Sequence, residues 1–180
     1  MPFLPASRVA TTRPASIVAT MNDPRARHRF PAVAIVAGLA VLVVDFVTKT
    51  VMTRWLEWGE QRWLIDGWIG LELTRNRGLA FGLGNGSRIT TLLVIAGFVA
   101  LVWFILRSGL VEHPVGAAAF GLAVGGAMGN LIDRIRDGAV TDFFVIGPWP
   151  RFNIADSALT LGLIALALIE FRTQGGYQGV

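Results

Sequence analysis

A chain of 180 residues that is 53% hydrophobic and only 16% charged, with a mean hydropathy of +0.58, is far more apolar than an average soluble domain. Its natural class is a membrane protein, and the net charge of +4 does not turn that reading toward nucleic acid, because the arginines are scattered along the whole chain. There is no cysteine, which excludes disulfides, thiol nucleophiles and thiolate metal ligands.

Residues 1–30 mix proline, alanine, threonine and arginine without hydrophobic periodicity, which predicts a disordered basic tail. The apolar run that follows, Phe30 to Val47 and broken only by Asp45, predicts a first membrane helix over 31–53. Arg25, Arg27 and Arg29 precede it as they would a cleaved signal peptide. Asp45 and Lys49, however, fall where a cleavage region should be small and neutral.

Beyond this helix, Trp55, Trp58, Trp63 and Trp68 crowd into a short stretch, as amphipathic rings do in the headgroup layer. Asp66-Gly67 between Arg62–Ile65 and Trp68–Thr74 predicts a two-stranded hairpin. Ile69, Leu71 and Leu73 alternate with Gly70, Glu72 and Thr74, leaving one strand face to rest on lipid or cover a substrate. Three further apolar runs predict helices over 89–107, 114–133 and 152–171, and 174–180 reads as a short tail. In the third helix Gly121, Gly125 and Gly129 recur every four residues, a face that lets another helix approach closely. None of the long runs alternates polar with apolar as a barrel wall would. The fold class is therefore an all-α membrane protein: four transmembrane helices and a small extracytoplasmic β platform between the first two.

Orientation rests on the first helix. The arginines divide almost evenly between the two sides, but three lie close to the start of this helix and only Arg54 lies close to its end, which places the N-terminus inside. His28 and His113 then flank cytoplasmic helix ends. Asp45, Asp133, Asp142 and Asp156, with Asn76, gather toward the opposite surface. Separation of the histidines from the aspartates argues against a Ser/His triad and a His-ligated metal, so the chemistry falls to carboxylates and amides.

Ionisable groups at membrane depth are functional suspects. Asp45 precedes Lys49 by four residues, the favourable order for a helical ion pair, and reads mainly as a structural charge. Asp133, next to Arg134 and three residues from Asn130, reads as an interfacial charge in a polar network. Asp137, in Arg-Asp-Gly, reads as a solvated loop residue. Asp142 and Asp156 have no opposite charge one turn away and are flanked by apolar groups. Two carboxylates meeting in such surroundings cannot both ionise cheaply; one keeps its proton, giving the acid and the base of aspartic-protease chemistry. Spacing alone leaves open whether they meet.

Five blocks, in order among the predicted helices, carry a family resemblance: Asp45-Phe-Val-Thr-Lys49, Asn76-Arg-Gly-Leu-Ala-Phe-Gly82, Gly125 to Arg134, Val140-Thr-Asp-Phe143 and Phe152-Asn-Ile-Ala-Asp156. From about residue 31 to 171 the chain resembles the lipoprotein signal peptidases, or signal peptidases II, bacterial membrane aspartyl proteases. The resemblance implies that Asp142 and Asp156 are the catalytic dyad. It implies that Asn76, Asn130, Arg134 and Asn153 line the site and hold the substrate backbone and the dyad, with Asp45, Lys49 and Asp133 as supporting charges. Gly78, Gly129 and Ala155 match positions where bulk would intrude.

The implied reaction removes the signal peptide of a diacylglyceryl-modified prolipoprotein just before its lipidated cysteine. It takes place at the outer side of the bacterial cytoplasmic membrane, without metal or organic cofactor. Both termini would be cytoplasmic, the partners substrate and membrane lipids, and the working unit a monomer. A tail longer than the family needs and a short link over 143–151 are the departures. A small proton- or cation-coupled carrier is the rival reading, and it leaves unexplained why the charges gather at one surface instead of crossing the membrane. A helical scaffold leaves Asn76, Asn130 and Asn153 unexplained.

Overall fold

The computed structural model describes residues 24–78, 88–108, 111 and 114–175. The predicted tail up to residue 23, positions 79–82 of the second motif block, His113 and residues 176–180 lie outside the described residues, as does the side chain of His28. The elements are α1 (Pro24–Trp55), β1 (Gln61–Ile65), β2 (Ile69–Asn76), α2 (Arg88–Ser108), α3 (Pro114–Asp137), β3 (Val140–Ile146) and α4 (Ile154–Gly175).

Three helical segments are long and apolar enough to cross a membrane: Ala32–Trp55, Pro114–Asp137 and Ile154–Arg172. The described apolar stretch of α2 is shorter, Leu92–Ile105. Helix α1 begins at Pro24, seven residues before the predicted 31, with a proline in the first turn where its missing N–H costs nothing. Helix α3 extends four residues past the predicted 133. It stops at Gly138, whose φ of 67° only glycine adopts freely and whose N–H donates to the Arg134 carbonyl at 3.1 Å.

α3 is the central helix, in contact with α1 along one side and α4 along another. The contacts are made by backbone. A Cβ on Gly125 would lie 2.6 Å from the Gly38 carbonyl oxygen, and one on Gly121 would collide with the Ala34 carbonyl. Gly126 meets the Ala155 carbonyl in the same way, and Gly162 of α4 meets the Ala119 carbonyl at 2.6 Å. The predicted small-residue face packs on α1 through Gly121 and Gly125, and Gly126, outside that face, makes a second seam with α4. Away from these seams the helices expose Val36, Val43, Phe46, Trp103, Phe104, Leu161 and Leu168, an apolar surface suited to lipid.

The hairpin forms where predicted, with Gly67 at φ 68° in its turn. The strand β3 was not anticipated. It pairs antiparallel with β2, giving the order β1-β2-β3, and it puts Asp142 on a strand, not in the loop expected between helices. A register shift between Leu71 and Thr74 interrupts the simple alternation read from the sequence: Ile69 stays exposed while Leu73 is buried against Leu56 and Phe143. The link after β3 folds straight back. Gly147 donates to the Trp68 carbonyl, and Phe152 bridges to Phe144, so the start of α4 is delivered beside β3.

Two glycines of equal size therefore carry opposite expectations. Gly126→Ala forces a methyl into the Ala155 carbonyl and should cost about 1–3 kcal/mol or more. Gly97→Ala on α2, with nothing within 4 Å, should leave stability unchanged or raise it by about 0.5–1 kcal/mol. Thermal unfolding of the two variants in detergent measures the contrast.

Candidate active site

The first turn of α4 organises the site. Asn153 precedes the helix and accepts the Asp156 N–H on its Oδ1 at 2.8 Å, while Asp156 Oδ2 accepts the Asn153 N–H at 3.2 Å. This reciprocal pair is a capping box, an N-cap side chain and a carboxylate three residues on satisfying each other's backbone donors. With its oxygen committed to the cap, the Asn153 side chain must turn its nitrogen away, and Nδ2 donates to Asp142 Oδ1 at 2.7 Å. One asparagine thus touches both carboxylates.

Each carboxylate has further donors. Asn76, at the end of β2, donates from Nδ2 to Asp142 Oδ2 at 3.0 Å, and Asn130 on α3 donates from Nδ2 to Asp156 Oδ1 at 2.6 Å. Asp142 is 1% exposed, whereas Asp156 is only partly buried and opens toward the surface. Burial pushes the Asp142 carboxyl up to about 7, and the charge of Asp156 pushes the same way; Asn76, Lys49 and Asn153 oppose the shift without cancelling it.

Beside the two carboxylates lies a group of buried charges. Lys49 sits 2.6 Å from Asp45 Oδ2 and 2.8 Å from Asp133 Oδ2, and donates to Asn130 Oδ1 at 3.1 Å. All three ammonium donors are used. Asp45 has a second task that spacing could not reveal: its Oδ1 accepts the N–H of Ala155, an orphan donor in the first turn of α4. The expected Asp45–Lys49 pair is present. Asp133 differs from expectation. Its charge partner is Lys49 on another helix, and it also accepts the Thr141 N–H at 3.4 Å. Its neighbour Arg134 points elsewhere, donating to the Asn130 carbonyl at 3.3 Å and the Gly78 carbonyl at 2.9 Å. Arg134 Nε is the one buried side-chain polar atom among the described residues without a hydrogen-bond partner.

The small positions are explained by contact. A Cβ on Gly129 would lie 2.9 Å from Asp45 Oδ2 and 3.4 Å from the Ala155 methyl. Gly78 is buried; its N–H donates to Asn76 Oδ1 at 3.0 Å and its carbonyl takes Arg134. Every residue singled out in the sequence as a site candidate thus joins one connected group. Asp137, read as a solvated loop residue, is exposed and pairs with Arg136. No cluster of three or more histidine, cysteine or acidic residues arranged for a metal occurs among the described residues.

Apolar membrane-spanning helices around two carboxylates that share one asparagine define a multi-pass membrane enzyme. The sequence model of signal peptidase (SPase) II matches residues 37–172. The lipoprotein signal peptidase of Rhodococcus jostii strain RHA1 is 37% identical over 167 residues, covering 88% of this chain and 83% of its own. That of Syntrophomonas wolfei is 43% identical over 136 residues, covering 73% and 87%. A bacterial membrane enzyme structure determined in meso at 2.3 Å superposes with a TM-score of 0.71 at 29% identity, over 79% of this chain and 90% of that one. The chain belongs to the signal peptidase II family and is a peptidase.

Substitution at Asn153 separates its two tasks. Asn153→Ala should cost about 0.5–2 kcal/mol of stability through the lost cap. Asn153→Ser keeps a capping oxygen and should melt close to wild type, yet lose peptidase activity as fully as the alanine variant. Melting temperature and cleavage rate, measured on the same preparations, test the separation.

Proposed function

We propose that this chain is an aspartic-type endopeptidase that removes signal peptides from diacylglyceryl-modified prolipoproteins, cutting just before the lipidated cysteine, with Asp142 and Asp156 as its catalytic pair. The observation that carries this reading is Asn153 joining the two carboxylates, its side-chain amide donating to Asp142 and its backbone N–H to Asp156. Removal of prolipoprotein signal peptides follows from family membership across most of the chain. The carrier alternative has no support among these relatives.

In this reading Asp142 holds the proton and Asp156 is ionised. Asp156 takes a proton from water as the water oxygen attacks the scissile carbonyl carbon, and Asp142 gives its proton to the carbonyl oxygen. Collapse of the resulting gem-diol breaks the C–N bond. The proton on Asp156 passes to the leaving amine, and Asp142 recovers a proton from a gem-diol hydroxyl. Arg134, with its free Nε, is the group we assign to the substrate backbone. The acyl chains of the substrate can stay in lipid while the scissile bond reaches the pair.

The same reading extends to the surroundings. α2 is the fourth crossing, since its 21 residues rise about 31 Å as a helix. The sheet lies on the outer face of the bacterial cytoplasmic membrane beside the catalytic pair, and both termini are cytoplasmic. Residues 31–173 form the peptidase body between two tails, working as a monomer. The arginines before α1 and the tryptophans around the sheet support this orientation.

Asp142→Asn and Asp156→Asn should each lower cleavage of a diacylglyceryl-modified precursor by about 10²–10⁴-fold or more while leaving membrane insertion intact. Undiminished cleavage by either variant, or proton flux across liposomes without cleavage, overturns the assignment. The pH dependence has a definite sign. Asp142 keeps its proton below about 7 and loses it above, so kcat should fall as pH rises through that value. Asn76 favours the charged form of Asp142, so Asn76→Leu should move this alkaline limb to higher pH.

A further inference from the structure

Lys49 touches neither carboxylate of the catalytic pair. It reaches one of them through a single amide. The Lys49 ammonium can only donate, so it fixes the oxygen of the Asn130 side chain toward itself, and the Asn153 amide adds a second donor to the same oxygen at 3.0 Å. The Asn130 nitrogen is thereby forced to face Asp156, which it meets at 2.6 Å. If the amide rotated by half a turn, its oxygen would face a carboxylate and its nitrogen an ammonium, an arrangement with repulsion at both ends.

We infer that Lys49 is a positioning residue that acts through Asn130, locking the amide so that Asp156 is presented only with donors and serves as the ionised, water-activating member of the pair. The inference rests on the assignment of Asp142 and Asp156 as the catalytic pair for its consequence in catalysis. Its physical content, the ionised state of Asp156, can be measured without any substrate.

The charges around this lever come from every neighbouring element. Asp45 on α1 and Asp133 on α3 bind Lys49 directly, and Arg134 on α3 bears electrostatically on Asp156 and Asp142. The Lys49 charge also reaches Asp142 on β3 and Asp156 on α4 through space. Orientation of the amide and through-space attraction are therefore separable. Replacing Asn130 removes the first and keeps the second.

Three variants test this. Lys49→Met leaves two buried carboxylates uncompensated, a cost to folding, so the charge-conserving Lys49→Met/Asp133→Asn variant is made beside it; Asn130→Leu keeps Lys49 and cuts the link. In the double variant and in Asn130→Leu, kcat on a diacylglyceryl-modified peptide should fall about 10- to 100-fold with KM unchanged. Infrared difference spectra of protein labelled with ¹³C-aspartate should show the ionised-carboxylate band that is missing from Asp156→Asn weakened in both. An unaltered band in either folded variant overturns the inference, whatever the cleavage rates are. Wild-type kcat in Asn130→Leu overturns it as well. Undiminished cleavage by Asp156→Asn, with the band responding as described, would instead sink the assignment of the catalytic pair and leave the lever standing.

Discussion

Short side chains can join three helices into one polar group only where the helix backbones touch. An aspartate or asparagine reaches barely past its own Cβ, so the Asp45 bond to Ala155 N–H and the Asn130 bond to Asp156 require α1, α3 and α4 to approach within the space usually filled by side chains. Gly38, Gly121, Gly125, Gly126 and Gly129 remove those side chains. In a membrane, where water supplies little drive for helices to associate, close packing and interhelical hydrogen bonds are the available forces. Here the glycines provide the first and so make the second possible. Bulk at Gly129 would displace Asp45 from its place against α3, and with it the anchor on the start of α4.

The buried charges are arranged so that each has a partner and a direction. Lys49 with Asp45 and Asp133 carries one excess negative charge, which the positive end of α4 helps to accommodate through the Ala155 N–H. Removing a single member of such a group leaves a stranded charge, whose cost exceeds anything the intact pair contributed. The same logic gives the two carboxylates of the proposed pair different surroundings. Asp142 lies on a strand, enclosed by the sheet and the folded-back link, whereas Asp156 lies in a helix first turn with donors on two sides. Environment, not residue type, separates the two.

Much of this was legible in the sequence, for reasons that can be named. The helices announce themselves by length and apolarity, the hairpin by Asp66-Gly67, and the candidate dyad by the absence of nearby opposite charge. The third strand falls where the sequence reads as motif and link, although the run of β-branched and aromatic residues from Val140 to Ile146 is a strand signal. Asn153 and Asp156, three apart before an apolar run, are likewise a legible capping signal. The partner of Asp133 could not be read at all. Sequence offers Arg134 beside it, and only the approach of α1 to α3 brings Lys49 within reach. Asp45 as a cap for a helix 110 residues away is hidden for the same reason.

Because the box that starts α4 also holds the two carboxylates, the helix terminus and the proposed reaction centre are the same atoms. Helix ends are the parts that fray first, with free energies of opening well below that of the whole molecule. With that pair as the catalytic one, heat or detergent that loosens a single turn at Asn153 would silence the protein while its membrane helices are still assembled. Inactivation and unfolding would then be two separate events, the bulk of the fold acting as ballast that keeps one turn wound.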